Sequence, residues 1–199
     1  MGLIASAEKK REPINDGVYH SVCIGVIDIG THYDEKFGKS SHKALLMWEI
    51  PELLIKFEKD GVEKEAPRVI SKKYTLSLGE KANLRKDLQS WRGRAFTDEE
   101  LRSFDLLNVL GKNCMLQIIN TTKDGRTYSN IASVMPLYKG VDILKPVAEP
   151  LYFSLSDGVD IPISIPAWIR DIITKSQEYQ DRVSTTDHVE PPVDDAPPF

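Results

Sequence analysis

Cysteine is nearly absent: Cys23 and Cys114 are the only two in 199 residues. Both sit in apolar, strand-like runs, so they read as small buried hydrophobes rather than a disulfide or a metal pair. The chain has no Cys-x-x-Cys, no His-Glu-x-x-His and no glycine-rich phosphate loop. Those gaps remove the common sequence signals for zinc, thiol-exchange, metalloprotease and nucleotide chemistry. Long apolar runs are missing too, and none approaches the roughly 20 residues of a membrane-spanning helix. The opening residues place their charges after a very short apolar patch, the reverse of a secretory signal, so a cytoplasmic chain is expected. His20, His32, His42 and Asp28 offer no closely spaced ligand pair, and neither a metal nor another cofactor is expected. Asp98, Glu99 and Glu100 are explained as helix-capping charge rather than catalytic carboxylates. No enzyme is expected.

What is present is an uneven charge. The formal net charge is -4, yet from Glu178 onward six acids face one base, Arg182. Residues 68–94 hold eight bases and two acids. Local charge decides whether a surface can meet a polyanion, so the acidic total does not argue against it.

The text alternates between strand and turn signals. Residues 1–15 read as a flexible arm. From Val18 to Cys23 the chain alternates with period two, and Gly25 and Gly30 mark bends or bulges in a long first strand. A polar loop leads to a second strand holding Trp48, which reads as core. Asp60-Gly61 and Asp124-Gly125 are tight hairpin signals. Between the third and fourth strands lie helix signals. Ser77 or Gly79 could cap a helix over 80–89, and Thr97-Asp98-Glu99-Glu100 is a capping box. Pro166 with apolar residues at 168, 169, 172 and 173 predicts a late amphipathic helix. The fold expected is mainly β: an OB-fold-like barrel with a helical insertion between strands three and four, spanning residues 16–178. Residues 179–199 read as a disordered acidic tail. Such barrels present strands and loops to nucleic acid.

The candidate contacts follow from two physical needs: cations for phosphates and aromatic faces for unpaired bases. The basic stretch supplies Lys72, Lys73, Tyr74, Lys81, Arg85 and Lys86, then Trp91, Arg92 and Arg94 around a flexible Gly93. Trp91 is the best stacking candidate, and packing of the helical insertion is its other reading. Tyr33 and Lys36 lie in the loop after the first strand. Arg126 and Tyr128 lie beside the second Asp-Gly turn.

The end of the chain, Asp194-Asp195-Ala196-Pro197-Pro198-Phe199, resembles the C-terminal tip of bacterial single-stranded DNA-binding proteins. The resemblance implies that Phe199 enters an apolar pocket on partner proteins while its carboxylate meets a base. Asp194 and Asp195 would line a basic rim, and Pro198 before Phe199 departs from the family pattern. The body is similar to a group of bacteriophage and prophage proteins. The similarity runs through Ser71-Lys-Lys-Tyr-Thr-Leu-Ser-Leu78, through Leu84-Arg-Lys-Asp-Leu-Gln-Ser-Trp-Arg-Gly-Arg-Ala-Phe96, and on to Leu110-Gly-Lys-Asn-Cys114. That implies phage replication, recombination or repair in a bacterial host cell.

The leading expectation is a non-catalytic protein that coats single-stranded DNA and recruits replication or recombination proteins through its tail. The runner-up is an adaptor or structural phage protein whose β domain contacts protein. An enzyme with an unrecognised site comes third. One chain does not decide between a monomer and a homodimer, or between DNA and RNA.

Overall fold

The computed structural model describes residues 12–59 and 61–186. Three long strands come first: β1 (Gly17–Asp34), β2 (Lys39–Lys59) and β3 (Val62–Thr75). Two helices, α1 (Asn83–Arg92) and α2 (Asp98–Arg102), and a 3-10 turn (Leu106–Val109) follow before β4 (Asn113–Lys123) and β5 (Arg126–Met135). A short β6 (Leu151–Phe153) and helices α3 (Ala167–Ile173) and α4 (Gln177–Thr186) complete the described chain. The sheet order is β3-β2-β1-β4-β5, with β6 beside β1. This is the OB-type arrangement: an open, curled antiparallel sheet with its helical insertion between strands three and four. No helix among the described residues is long and apolar enough to cross a membrane.

β1 makes the curl. Its first part, 17–22, pairs with β4, and residues 22–34 pair with β2. Register shifts fall between Cys23 and Gly25 and between Asp28 and Gly30, where the sequence places bends. Past the first shift, the edge that β4 has left takes β6 in parallel, Gly25 opposite Leu151.

Two cores result. Inside the barrel, Cys23, Val26, Leu46, Trp48 and Ile70 pack with Leu84, Leu88 and Trp91 of α1. Trp48 is fully buried, as its sequence context requires. On the outer face, Ile24, Ile27, Ile29, Leu45 and Met47 pack with Phe153, Ile165, Ile169 and Ile173. Buried Glu49 ties this layer down by accepting the amides of Val147 and Ala148, both at 2.8 Å. The late amphipathic helix is α3, with Ile169 and Ile173 buried and Trp168 exposed.

The folded body runs further than residue 178. Helix α4 occupies residues that composition assigns to a disordered tail, because side chains at its start grip the barrel. Glu178 accepts from the backbone N–H of Thr31 at 2.7 Å and from its hydroxyl. His42 lies between two carboxylates, Nε2 at 2.7 Å from Asp28 and Nδ1 at 3.2 Å from Glu178. Tyr179 packs on the outer core. The rest of the tail, with Asp194, Asp195, Pro198 and Phe199, lies outside the described residues, as does the arm before residue 12.

Candidate nucleic-acid interface

The basic stretch divides by environment. β3 is pleated, so Lys72 opposes Leu46 on the barrel side and Lys73 opposes Leu45 on the outer side. Lys72 donates to Asp87 of α1 at 2.7 Å and to the Ile131 carbonyl at 3.2 Å. The Tyr74 hydroxyl donates to the same Asp87 oxygen at 2.7 Å. Burial, then the Asp87 charge, pushes the Tyr74 phenol far above its ordinary range. Lys72 and Tyr74 are therefore corrections: they serve a buried polar triad and are withdrawn from any strand outside. Trp91 is a third. It is 7% exposed, its indole N–H donates to the Asn113 carbonyl at 2.9 Å, and its ring lies 6.0 Å from that of Trp48.

A carboxylate from the next helix engages both arginines beside Gly93: Arg92 is largely covered, whereas the Arg94 side chain stays 55% exposed. Gly93 ends α1 in the left-handed region at φ 65° and turns the chain toward α2. Thr97 caps α2 through the expected box, which fixes Glu100 at its first turn. Glu100 then bonds Arg92 and grips Arg94 with both oxygens, at 2.7 and 2.9 Å. The Arg92 guanidinium lies over Phe96 at 4.4 Å and Phe104 at 5.2 Å. Arg94 above all, then the Thr97 amide, holds the Glu100 carboxyl down at about 2 against an ordinary 4.5. A depressed carboxylate contributes stability that is present above pH 4.5 and is lost as pH falls toward 2. Acid titration of urea midpoints should therefore fall more steeply across that window in the wild type than in Glu100→Gln. Equal slopes would remove this clamp from the account.

The remaining cations are accessible. Exposed Lys73 and Lys81 line one open pocket of about 660 Å³ with Thr75, Ser77 and Asn83. Lys86 is exposed on α1, and among the described residues none of these three lysines has an ion-pair partner. Arg85 is half-buried and donates to the Leu78 carbonyl at 3.2 Å. Helix α1 begins later than sequence capping rules suggest. Ser77 accepts the Gly79 amide instead, and Ala82 stands at the cap with no side chain to offer. The uncapped amide end of α1 consequently borders the pocket, a feature that cap-seeking rules do not reveal.

Two turns carry the other candidates. Tyr33 and Phe37 are each 64% exposed at the β1–β2 turn, with the Lys36 ammonium 5.5 Å from the Phe37 ring centre. Exposed Arg126 and Tyr128 sit at the β4–β5 turn. In the pairing these turns leave β1 at opposite ends. The structure thus places Lys73 and Lys81 around one pocket, Tyr33 and Lys36 at one turn and Arg126 and Tyr128 at another, rather than gathering them in one cluster.

The histidines and Asp28 form no metal cluster among the described residues. His20 bonds Asn113 at 2.6 Å, His32 bonds the Ile29 carbonyl, and His42 reaches Asp28. No protein-family model matches the chain, and no curated protein sequence does.

Proposed function

We propose that this chain binds single-stranded DNA with little base preference and delivers it to replication or recombination proteins in a phage-infected bacterial cell. One observation carries the reading. The two turns that flank the ligand face of an OB-type barrel both expose an aromatic ring beside a cation: Tyr33 with Lys36, and Tyr128 with Arg126. Rings of this kind stack on any base, and the cations neutralise phosphates. Lys73, Lys81 and Lys86 add unpaired charge along β3 and α1. Asp194, Asp195, Pro198 and Phe199 would form the partner-binding tip. The exposed apolar part of the β2–β3 hairpin favours the second reading, an adaptor that contacts protein.

Titration with oligo-dT at two salt concentrations tests the proposal. Tight binding that weakens steeply with salt is expected. Lys73→Ala with Lys81→Ala should shallow the slope of log K against log salt by about 1.4, at roughly 0.7 per phosphate contact. Tyr33→Ala and Tyr128→Ala should each cost about 1–3 kcal/mol of binding. No binding at low salt would favour the adaptor.

A further inference from the structure

β2 and β3 continue beyond the barrel as a two-stranded ribbon. Between the pairs Ile50↔Arg68 and Leu54↔Pro67 the register slips, and β2 takes up extra residues that include Pro51. From there to Lys59↔Val62 the ladder is regular. β1 last pairs with β2 at Val22↔Glu49, so beyond it the outer edge of β2 has no strand beside it among the described residues. An isolated pair of strands is marginal in water, and a bare edge is a template for another strand.

The pleat sorts the ribbon's side chains. One face carries Ile55, Phe57, Val62 and Ala66, with Lys64 opposite Phe57; Ile55 and Phe57 are each 38% exposed and Val62 56% exposed. The opposite face pairs Lys56 with Glu65 and Glu58 with Glu63. Two like charges directly opposite each other are unfavourable. Among the described residues Lys56 alone answers these acids, 3.1 Å from Glu63 and 3.6 Å from Glu65. Glu58 has no ion-pair partner among the described residues.

A free edge, an exposed apolar face and an unanswered carboxylate are all satisfied by one occupant. We infer that two copies of the chain pair antiparallel through the outer edges of their β2 strands, about a two-fold axis at Phe57. In that register Lys56 of each copy stands opposite Glu58 of the other, and Phe57 meets its own copy on the apolar face. The neighbouring registers fail on charge. An axis at Lys56 or at Glu58 sets that residue against itself. Pairing through β3 about Lys64 sets lysine against lysine and Glu63 against Glu65. The result is a four-stranded sheet in which Ile55, Phe57, Val62 and Ala66 of both copies gather on one face, more strands than an isolated ribbon has for its stability. The β2 residues used, 55–59, include none of the proposed DNA contacts, so the two ideas fail separately.

Sedimentation velocity over a wide concentration range reads the association directly. The wild type should dimerise. Lys56→Glu should weaken the dimer by roughly tenfold or more, because symmetry counts each pair twice. Glu58→Lys should weaken it equally, although it relieves the clash with Glu63 inside the monomer. The exchange Lys56→Glu with Glu58→Lys should restore dimerisation, which no general loss of folding can mimic. Phe57→Cys should give a covalent dimer on mild oxidation, since Cys23 and Cys114 are both buried. A wild type that stays monomeric overturns the inference, as does a dimer indifferent to Lys56→Glu or an exchange variant that stays weak. Association that requires oligo-dT also overturns it and assigns the ribbon to DNA.

Discussion

Asp87→Ala is expected to destabilise the fold by about 3–5 kcal/mol, the usual cost of removing one partner from a buried ion pair. The carboxylate receives both Lys72 and Tyr74, and the side chains of Lys72 and Asp87 are only 26% and 12% exposed. Its place in the barrel explains the size of the effect. β3 and β5 are the two ends of the sheet and are not hydrogen-bonded to each other. Lys72 on β3 binds Asp87 on α1 and the Ile131 carbonyl on β5, so one ammonium ties three elements across the open seam. Without Asp87, a half-buried cation loses its counter-charge and a buried phenol loses its acceptor. Chemical denaturation measures the loss. Adding Lys72→Met should recover a large part of it, because the uncompensated charge is then gone. A double variant no more stable than Asp87→Ala would show that the triad does not act as a unit.

Much of the barrel is legible because its signals are local. Gly61 and Asp124-Gly125 sit at the turns between β2 and β3 and between β4 and β5, and Gly25 and Gly30 sit at the register shifts of β1. The outer layer is harder to read. Residues 22–29 are almost wholly buried because both faces of β1 are covered, yet the covering helix α3 lies more than a hundred residues downstream. A continuous apolar run shows that both faces are covered, not by what. Helix α4 escapes notice for a related reason. Its sequence is polar, and its stability comes from contacts with Thr31, His42 and the outer core rather than from its own composition.

The candidate site is less legible, because charge counts do not contain partners. Within residues 68–94 the bases outnumber the acids heavily, yet Asp87 holds Lys72 and Glu100, outside that window, holds both arginines. Adjacent residues also part company. Lys72 and Lys73 point to opposite sides of the same strand, so only Lys73 reaches the open pocket. The loop aromatics fare better, since Tyr33 and Tyr128 have no nearby core to enter and remain exposed.

Gly30→Ala should release α4 from the barrel. Gly30 has φ 75°, a conformation that costs a residue with a side chain roughly 1–2 kcal/mol. A Cβ there would stand 2.4 Å from Cβ of Ser176, 2.6 Å from its hydroxyl and 2.8 Å from a Glu178 oxygen. Ser176 is fully buried, and its hydroxyl accepts the Tyr179 amide at 3.3 Å, so it cannot swing aside without unmaking the first turn of α4. Strain and clash together predict a loss of roughly 2–4 kcal/mol. The loss should be local first: hydrogen exchange over residues 174–186 should accelerate while the barrel strands stay protected. The same latch should respond to acid. Although burial opposes its charge, the bonds from Thr31 and the nearby His42 hold the Glu178 carboxyl below its ordinary 4.5. Its contribution is therefore complete above that pH and fades as pH falls through the depressed value. Wild type at low pH should thus approach the exchange pattern of Glu178→Gln, which keeps the shape of the side chain and removes the charge. Unchanged protection of residues 174–186 in Gly30→Ala would mean that the close approach at Gly30 does not hold α4 in place.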